Sequence, residues 1–437
     1  MKYDILLKGT NISSEVWDFF INKAINLYII NPVMIASQQK YSLTIETDVE
    51  YVDITRNLEK LLKSTQDYFE VEKTFITTRD IPSSYVLNTI LQKEITLYTQ
   101  YISPLCIILS RNDTREWFLN HFIPVYSSYE KNEVYTIAYC EVEDIFQQII
   151  DYRYTSHEDN LKICNIVNYL KANLYKGNYM ELFLDDYYVE NKRPYMKYHY
   201  IHPSFIYGYN DLLNEFYAIG FDEKNKYGKL KLSYESTREA FLSSILTYDL
   251  GTDKPGGFID KIKIMSVKNN LDGNYFSCKK FLKDIRAYID SSPKLYAHLP
   301  KLDYIPLAYS YGQNAFEHLS TILEIPCEGR QPTKYHNMHI FWEQRRIISR
   351  RLEYFVERYL HSTSIFDEIN ELIMQYRGIV FECDIIRHKY MKILSSKYID
   401  KHALYKELSP RIKKVLCNEY IILSQFCELT ELVISEA

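Results

Sequence analysis

The chain has 437 residues, 46% apolar and 25% charged, the balance of a globular protein with material for two to four domains rather than of a disordered chain. Its net charge of -5, from 52 basic and 57 acidic residues, is spread along the sequence and argues against nucleic acid as a partner. Eight cysteines lie far apart without a Cys-x-x-Cys pair, which excludes an encoded zinc site or disulfide framework, and no apolar run nears the roughly 18 residues of a membrane span, so a cytoplasmic protein with no membrane partner is expected.

Tyr3, Ile5 and Leu7 alternate with Lys2, Asp4 and Lys8 and predict a strand, after which Ser13 can cap a helix striped by Val16, Phe19, Phe20, Ala24 and Leu27. PVMIAS and KYSLTIETD read as paired strands around Gln38-Gln39-Lys40, a second helix carries Ile54, Leu58, Leu61 and Leu62, and FEVEKTFITT reads as a closing strand. This βαββαβ order over residues 1–79 is that of a ferredoxin-like domain, a fold that by itself indicates no function. Over residues 80–252 helices come first, at Ser84–Tyr98, Arg115–Phe122, Val142–Tyr154 and Leu161–Leu174. Short aromatic strands follow in MELFLDDYYV, HPSFIYGY, NEFYAIGF and KLKLSY, and Thr252–Gly257 reads as a linker. Residues 258–437 read as helical, most clearly at Phe341–Leu360, where Arg345, Arg346, Arg350 and Arg351 are expected to form a solvated face, and again at Asp384–Ser396 and Ser409–Leu432. The fold class expected is α+β.

The stretch FLDDYYVENKRPYMKYHYIHPSFIYGYNDLLNEFYAIGF places His202 ahead of Phe205-Ile206-Tyr207-Gly208-Tyr209-Asn210-Asp211 and a return strand through Phe216-Tyr217-Ala218-Ile219, with a DDYYV strand upstream. It resembles the histidine-bearing half of the papain-like family typified by the N-terminal domain of butirosin biosynthesis protein H, related to the bacteriocin-processing C39 peptidases. With the helical tail the resemblance covers roughly residues 82–432. It implies a central papain-like domain at 80–252, a helical region at 258–437 packing on it, and acyl or aminoacyl transfer or thioester handling in bacterial nonribosomal-peptide-type natural-product biosynthesis. The implied partners are an acyl or peptidyl carrier protein, whose phosphopantetheine-linked thioester is the donor, and a small-molecule amine acceptor. No other cofactor is implied, and homodimerisation is left open.

Chemistry of this type joins a nucleophile at a helix N-terminus to an imidazole base that a third polar group orients. His202 takes the base position, with His199 as its neighbour. The nucleophile falls at Ser84 or Ser83, where the family has cysteine; Cys106, in the apolar PLCIIL, reads as a buried thiol, as do Cys140 and Cys164. The orienting group is Asp185, with Asp186 and Asp211 as alternatives, because the family's usual position is Gly220 in this chain. Ser84, His202 and Asp185 are thus the expected catalytic residues, and a chain that keeps the fold without the thiol would instead be an adaptor binding a carrier or assembly-line protein. His336-x-x-His339 has a metal-compatible spacing but no carboxylate cluster beside it, and reads as a helix entry.

Overall fold

The computed structural model describes residues 2–9, 29–35, 40–46, 60, 69–77, 81–121, 124–129, 135–139, 143–249, 261–268, 271, 276–292, 310–325, 332–361, 364–397 and 401–436. They form an α+β protein with antiparallel sheets and long helices toward the C-terminus. The chain divides into two compact units, residues 1–91 with 150–268, and residues 92–149 with 269–437. Residues 92–149, which the sequence groups with the central domain, therefore belong with the C-terminal helices.

Strands β1 (Lys2–Gly9), β2 (Ile29–Ile35), β3 (Lys40–Glu46) and β4 (Phe69–Thr77) lie in the order β2-β3-β1-β4, every pairing antiparallel. β1 and β3 coincide with the stretches whose period-two alternation predicts strands, β4 with FEVEKTFITT, and β2 overlaps the predicted PVMIAS strand but starts three residues earlier. The two helices expected between them lie outside the described residues apart from Lys60, which is helical, and so does the Thr252–Gly257 linker.

The helix expected at Ser84–Tyr98 does not form. Ser84–Val86 is instead strand β5, with Ser84 opposite Asn210, Tyr85 opposite Tyr209 and Val86 opposite Gly208. The cause is a close backbone approach: a Cβ on Gly208 would lie 2.8 Å from the Tyr85 carbonyl oxygen and 3.1 Å from the Val86 Cα. Gly208→Ala should therefore push β5 off its partner at a cost of about 1–3 kcal/mol. Hydrogen exchange at the Leu87 amide, which donates to the Tyr207 carbonyl at 2.8 Å, checks this; unchanged protection would contradict it.

Helices α1 (Thr99–Ile108) and α2 (Asn112–Asn120), strands β6 (Val125–Tyr129) and β7 (Tyr135–Tyr139), and the short α3 (Glu143–Phe146) follow. The helix expected at Val142–Tyr154 shrinks to α3 because Ile150–Tyr154 is drawn into a sheet as β8.

That sheet is the body of the first unit. After β8 come α4 (His157–Leu161) and α5 (Ile166–Tyr175); the helix expected at Leu161–Leu174 begins only at Ile166, where the Asn165 side chain accepts from the Asn168 amide and caps α5. Strands β9 (Tyr179–Asp185), β10 (Ile201–Asn210), β11 (Glu215–Phe221) and β12 (Tyr227–Ser233) follow, then α6 (Tyr234–Asp249) and β13 (Lys263–Val267). The strand order is β12-β11-β10-β9-β13-β8, with β5 also on β10. A region expected to be almost wholly helical thus returns a strand to the sheet. Leu170, Leu174, Met180, Leu182, Leu184, Ile206, Phe216, Leu232 and Phe241 form one buried cluster that joins α5 and α6 to the sheet. The β10–β11 turn is locked by Asp211, which takes Lys171 Nζ on one carboxylate oxygen and the Tyr234 hydroxyl on the other, each at 2.7 Å.

In the second unit β14 (Ser310–Tyr311) joins β6 and β7 in a three-stranded sheet. Helices α7 (Cys278–Ile289), α8 (Glu317–Glu324), α9 (Tyr335–Tyr359), α10 (Phe366–Ser395), α11 (Lys401–Lys406) and α12 (Ser409–Glu436) make its body. The apolar stripe Phe341, Ile348, Leu352 and Phe355 of α9 is buried. Two of its arginines depart from the solvated face expected of them. Arg345 is fully buried against Glu419 of α12 at 2.6 Å, its guanidinium carbon 4.1 Å from the Phe341 ring centroid and 4.5 Å from that of Phe316. Arg351 is also buried and donates to the carbonyls of Phe118 and His121. No helix among the described residues is long and apolar enough to cross a membrane.

Candidate functional site

The polar residues of DDYYV and HYIHP converge where β9 ends and β10 begins. Register fixes this, because Ile201 pairs with Asp185 and His202 with Leu184, so the chain returns from the intervening loop beside the Asp185 carboxylate. A 3-10 turn, Asp186–Tyr188, follows β9, and the Asp186 amide donates to the Tyr200 carbonyl at 2.9 Å. Asn191 (φ 61°) and Met196 (φ 53°) take left-handed conformations in the loop, letting it reverse sharply without glycine.

Asp185 has no exposed surface, and four donors meet it. Oδ2 accepts from His199 Nδ1 at 2.6 Å and from the Ser243 hydroxyl of α6 at 2.7 Å; Oδ1 accepts from the amides of Tyr187 at 3.2 Å and Tyr200 at 3.1 Å. Burial alone would raise the Asp185 pKa, but these hydrogen bonds outweigh it and hold the carboxyl below its ordinary range. The His199 side chain is 60% exposed and stacks on Tyr187 at 4.5 Å. A proton on Nδ1 facing the carboxylate leaves Nε2 as the lone-pair nitrogen. A buried carboxylate orienting an accessible imidazole is the arrangement of a general base.

The partner of Asp185 is thus His199, and not His202. His202 lies three residues on, inside the strand, stacked on Tyr200 at 5.6 Å and edge-on to Phe221 at 6.0 Å. Burial, helped by the Lys192 cation, pushes its pKa from 6.5 down to about 4, so it stays neutral at ordinary pH. Because the folded pKa lies below the unfolded one, stability is full above pH 6.5 and declines as pH falls toward 4. Asp186 works in the opposite sense, its carboxyl pushed up to about 6 by burial despite Lys192. Comparing denaturation of the wild type with His202→Phe separates the two: the stability difference should shrink by on the order of 3 kcal/mol between pH 6.5 and 4. A pH-independent difference would contradict this.

Lys192 and Asp186 form a buried pair at 3.6 Å, and a Cβ on Gly220 would lie 3.4 Å from Lys192 Nζ. Gly220 therefore adjoins this cation.

The expected nucleophile is not brought to the histidines. Ser84 pairs with Asn210 at the far end of β10, eight strand positions or about 26 Å from His202, and Ser83 lies beside it, its carbonyl accepting from the Asp211 amide at 2.7 Å. Neither stands at a helix N-terminus. Ser84 and His202 therefore do not form a catalytic pair. Cys106 is fully buried in α1 of the second unit, Cys140 lies outside the described residues, and Cys164 is exposed just before the cap of α5. In the second unit His339 is hydrogen bonded within the protein, its Nε2 lying 3.0 Å from the Thr96 hydroxyl and 3.2 Å from Glu343. Ser243 and Lys192 have no local signature in the sequence; the spacing of Asp185, His199 and Tyr200 in a hairpin with a known register would have found the dyad. No family model and no curated protein matches the chain.

Proposed function

We propose that the chain is an acyltransferase of the butirosin-H-like, papain-like type that has no covalent nucleophile and transfers an acyl group directly from a carrier-protein thioester to a small amine. The observation that carries this reading is the 2.6 Å hydrogen bond from His199 to buried Asp185. In the reaction, His199 Nε2 takes a proton from the attacking amine as its nitrogen bonds to the thioester carbonyl carbon. The C–S bond then breaks and the imidazolium returns the proton to the leaving thiolate, so that thioester and amine become amide and thiol. The donor sits on the phosphopantetheine arm of an acyl or peptidyl carrier protein.

The finer fold assignment is part of the same proposal. The all-antiparallel order β2-β3-β1-β4 supports a ferredoxin-like N-terminal domain. The antiparallel sheet with its histidine-bearing hairpin and buried contacts to α5 and α6 supports a papain-like one. A second reading, an adaptor that binds the carrier without turnover, is favoured by the distance of Ser84 from the histidines.

Intact-mass spectrometry of the protein with acylated carrier and an amine separates the readings. Amide product without an acyl adduct on the protein supports direct transfer. An adduct on the protein would replace it with a covalent route, for which exposed Cys164 is the first position to map, and stable carrier binding without turnover would leave the adaptor.

A further inference from the structure

Independently of that chemistry, helix α10 carries a second signal. Its inner face, with Ile369, Leu372, Ile373, Tyr376, Ile379, Cys383, Ile386 and Tyr390, is buried in the second unit. Its outer face reads Asp367, Glu371, Met374, Gly378, Phe381, Ile385, His388, Lys392, a strict alternation of four- and three-residue steps that keeps one side of a helix in register with a partner helix. All of these are exposed except Ile385, which is half-buried; Phe381 is 69% and Met374 61% exposed. The stripe forms a crest between two grooves, one of about 630 Å³ toward α12, lined by Gly378, Ile379, Glu382, Arg411 and Ile422, and one of about 370 Å³ toward α9, lined by Trp342, Arg346, Arg377 and Phe381.

The sequence of the stripe is complementary to itself run backwards. If two copies of α10 cross antiparallel with a two-fold axis between Ile379 and Val380, Phe381 of each copy stands over Gly378 of the other. A Cβ on Gly378 would meet nothing within 4 Å, so the helix surface there is open to that ring. The same axis sets Met374 against Ile385, Glu371 against His388 and Asp367 against Lys392. The large ring meets the smallest residue, apolar meets apolar, and the acidic start of the stripe meets its basic end. The opposed helix dipoles add to the fit, and an isologous two-fold contact requires this reciprocity of partners. We infer that the outer face of α10 is a homodimer interface, occupied by α10 of a second copy of this chain.

Sedimentation velocity on the full chain, from high micromolar to nanomolar, is the first test. A species of twice the monomer mass is expected, with Phe381→Ser weakening association roughly 30-fold or more, as removal of a central interface anchor does. Gly378→Gln should also abolish the dimer while leaving far-UV dichroism and the thermal midpoint of the monomer unchanged or higher, since the position is open in the monomer and glycine is a poor helix former. The decisive variants are Asp367→Lys/Glu371→Lys and His388→Glu/Lys392→Glu. Each alone carries one sign of charge along the stripe and should be monomeric, whereas the mixture restores every pairing and should give a heterodimer. A wild type that is monomeric throughout, a dimer indifferent to Phe381→Ser, or a mixture that stays monomeric would each overturn the interface.

Discussion

His199→Ala is expected to lower the rate of amide formation from an acylated carrier by about 100- to 10,000-fold, the range supplied by a positioned general base. Among the described residues at the site no other group offers an accessible lone pair held by a carboxylate: His202 is stacked inside the strand with its pKa pushed down to about 4, and Lys192 is buried against Asp186. Asp185→Asn should cost nearly as much, because an amide at that position can present its NH2 to Nδ1 and favour the tautomer with the proton on Nε2. Asp185 also receives two backbone amides and Ser243, so the asparagine variant is to be compared at matched folded fraction, whereas His199→Ala, at an exposed ring, should leave stability nearly unchanged. Ser84→Ala should leave the rate unchanged. Product formation followed by mass spectrometry checks all three; full activity in His199→Ala, or its loss in Ser84→Ala, would return the search to a nucleophile.

The largest stability effect is expected in the second unit at Glu419. Its carboxylate faces Arg345 at 2.6 Å with both side chains fully buried, and it accepts from the hydroxyls of Tyr376 at 2.8 Å and Tyr288 at 3.3 Å and from Gln313 Nε2 at 3.2 Å. Breaking one side of such a pair leaves a charge in a medium that cannot solvate it, at a cost of about 3–5 kcal/mol. That is a large part of the net stability of a typical domain, roughly 5–15 kcal/mol, so Glu419→Gln should shift the denaturant midpoint of the second unit far downward. Arg345→Met combined with Glu419→Gln should recover most of the loss. The pair then carries no charge, the glutamine oxygen still accepts from the tyrosines, and methionine fills the space between Phe316 and Phe341. Equal instability of the single and double variants would show that hydrogen bonding, rather than charge, dominates there.

How much of this was legible in the sequence depends on whether the deciding contact is local. The period-two patterns at Tyr3–Leu7 and Tyr41–Ile45 mark β1 and β3 because alternation is written into neighbouring residues. Ser84–Val86 reads as the start of a helix because what makes it a strand is the backbone gap at Gly208, remote in sequence. Arg345 and Arg351 read as solvated for the same reason, since the groups that receive them, Glu419 and the carbonyls of Phe118 and His121, lie on other elements. The two motifs of the site stand out in the sequence, yet which histidine meets Asp185 is a matter of strand register, and pairing Ile201 with Asp185 selects His199.

The position of β13 has a consequence for biosynthesis. It lies between β9 and β8, which among the described residues have no other strand joining them, and it is the last of the three to be translated. Until Lys263–Val267 leaves the ribosome, the nascent first unit presents open strand edges on both β8 and β9, surfaces that invite intermolecular pairing. Completion of this sheet must therefore wait through the synthesis of the histidine hairpin and α6, and chaperones that hold extended chains should be found on nascent chains in which Val267 has not yet emerged from the ribosome and be released once it has.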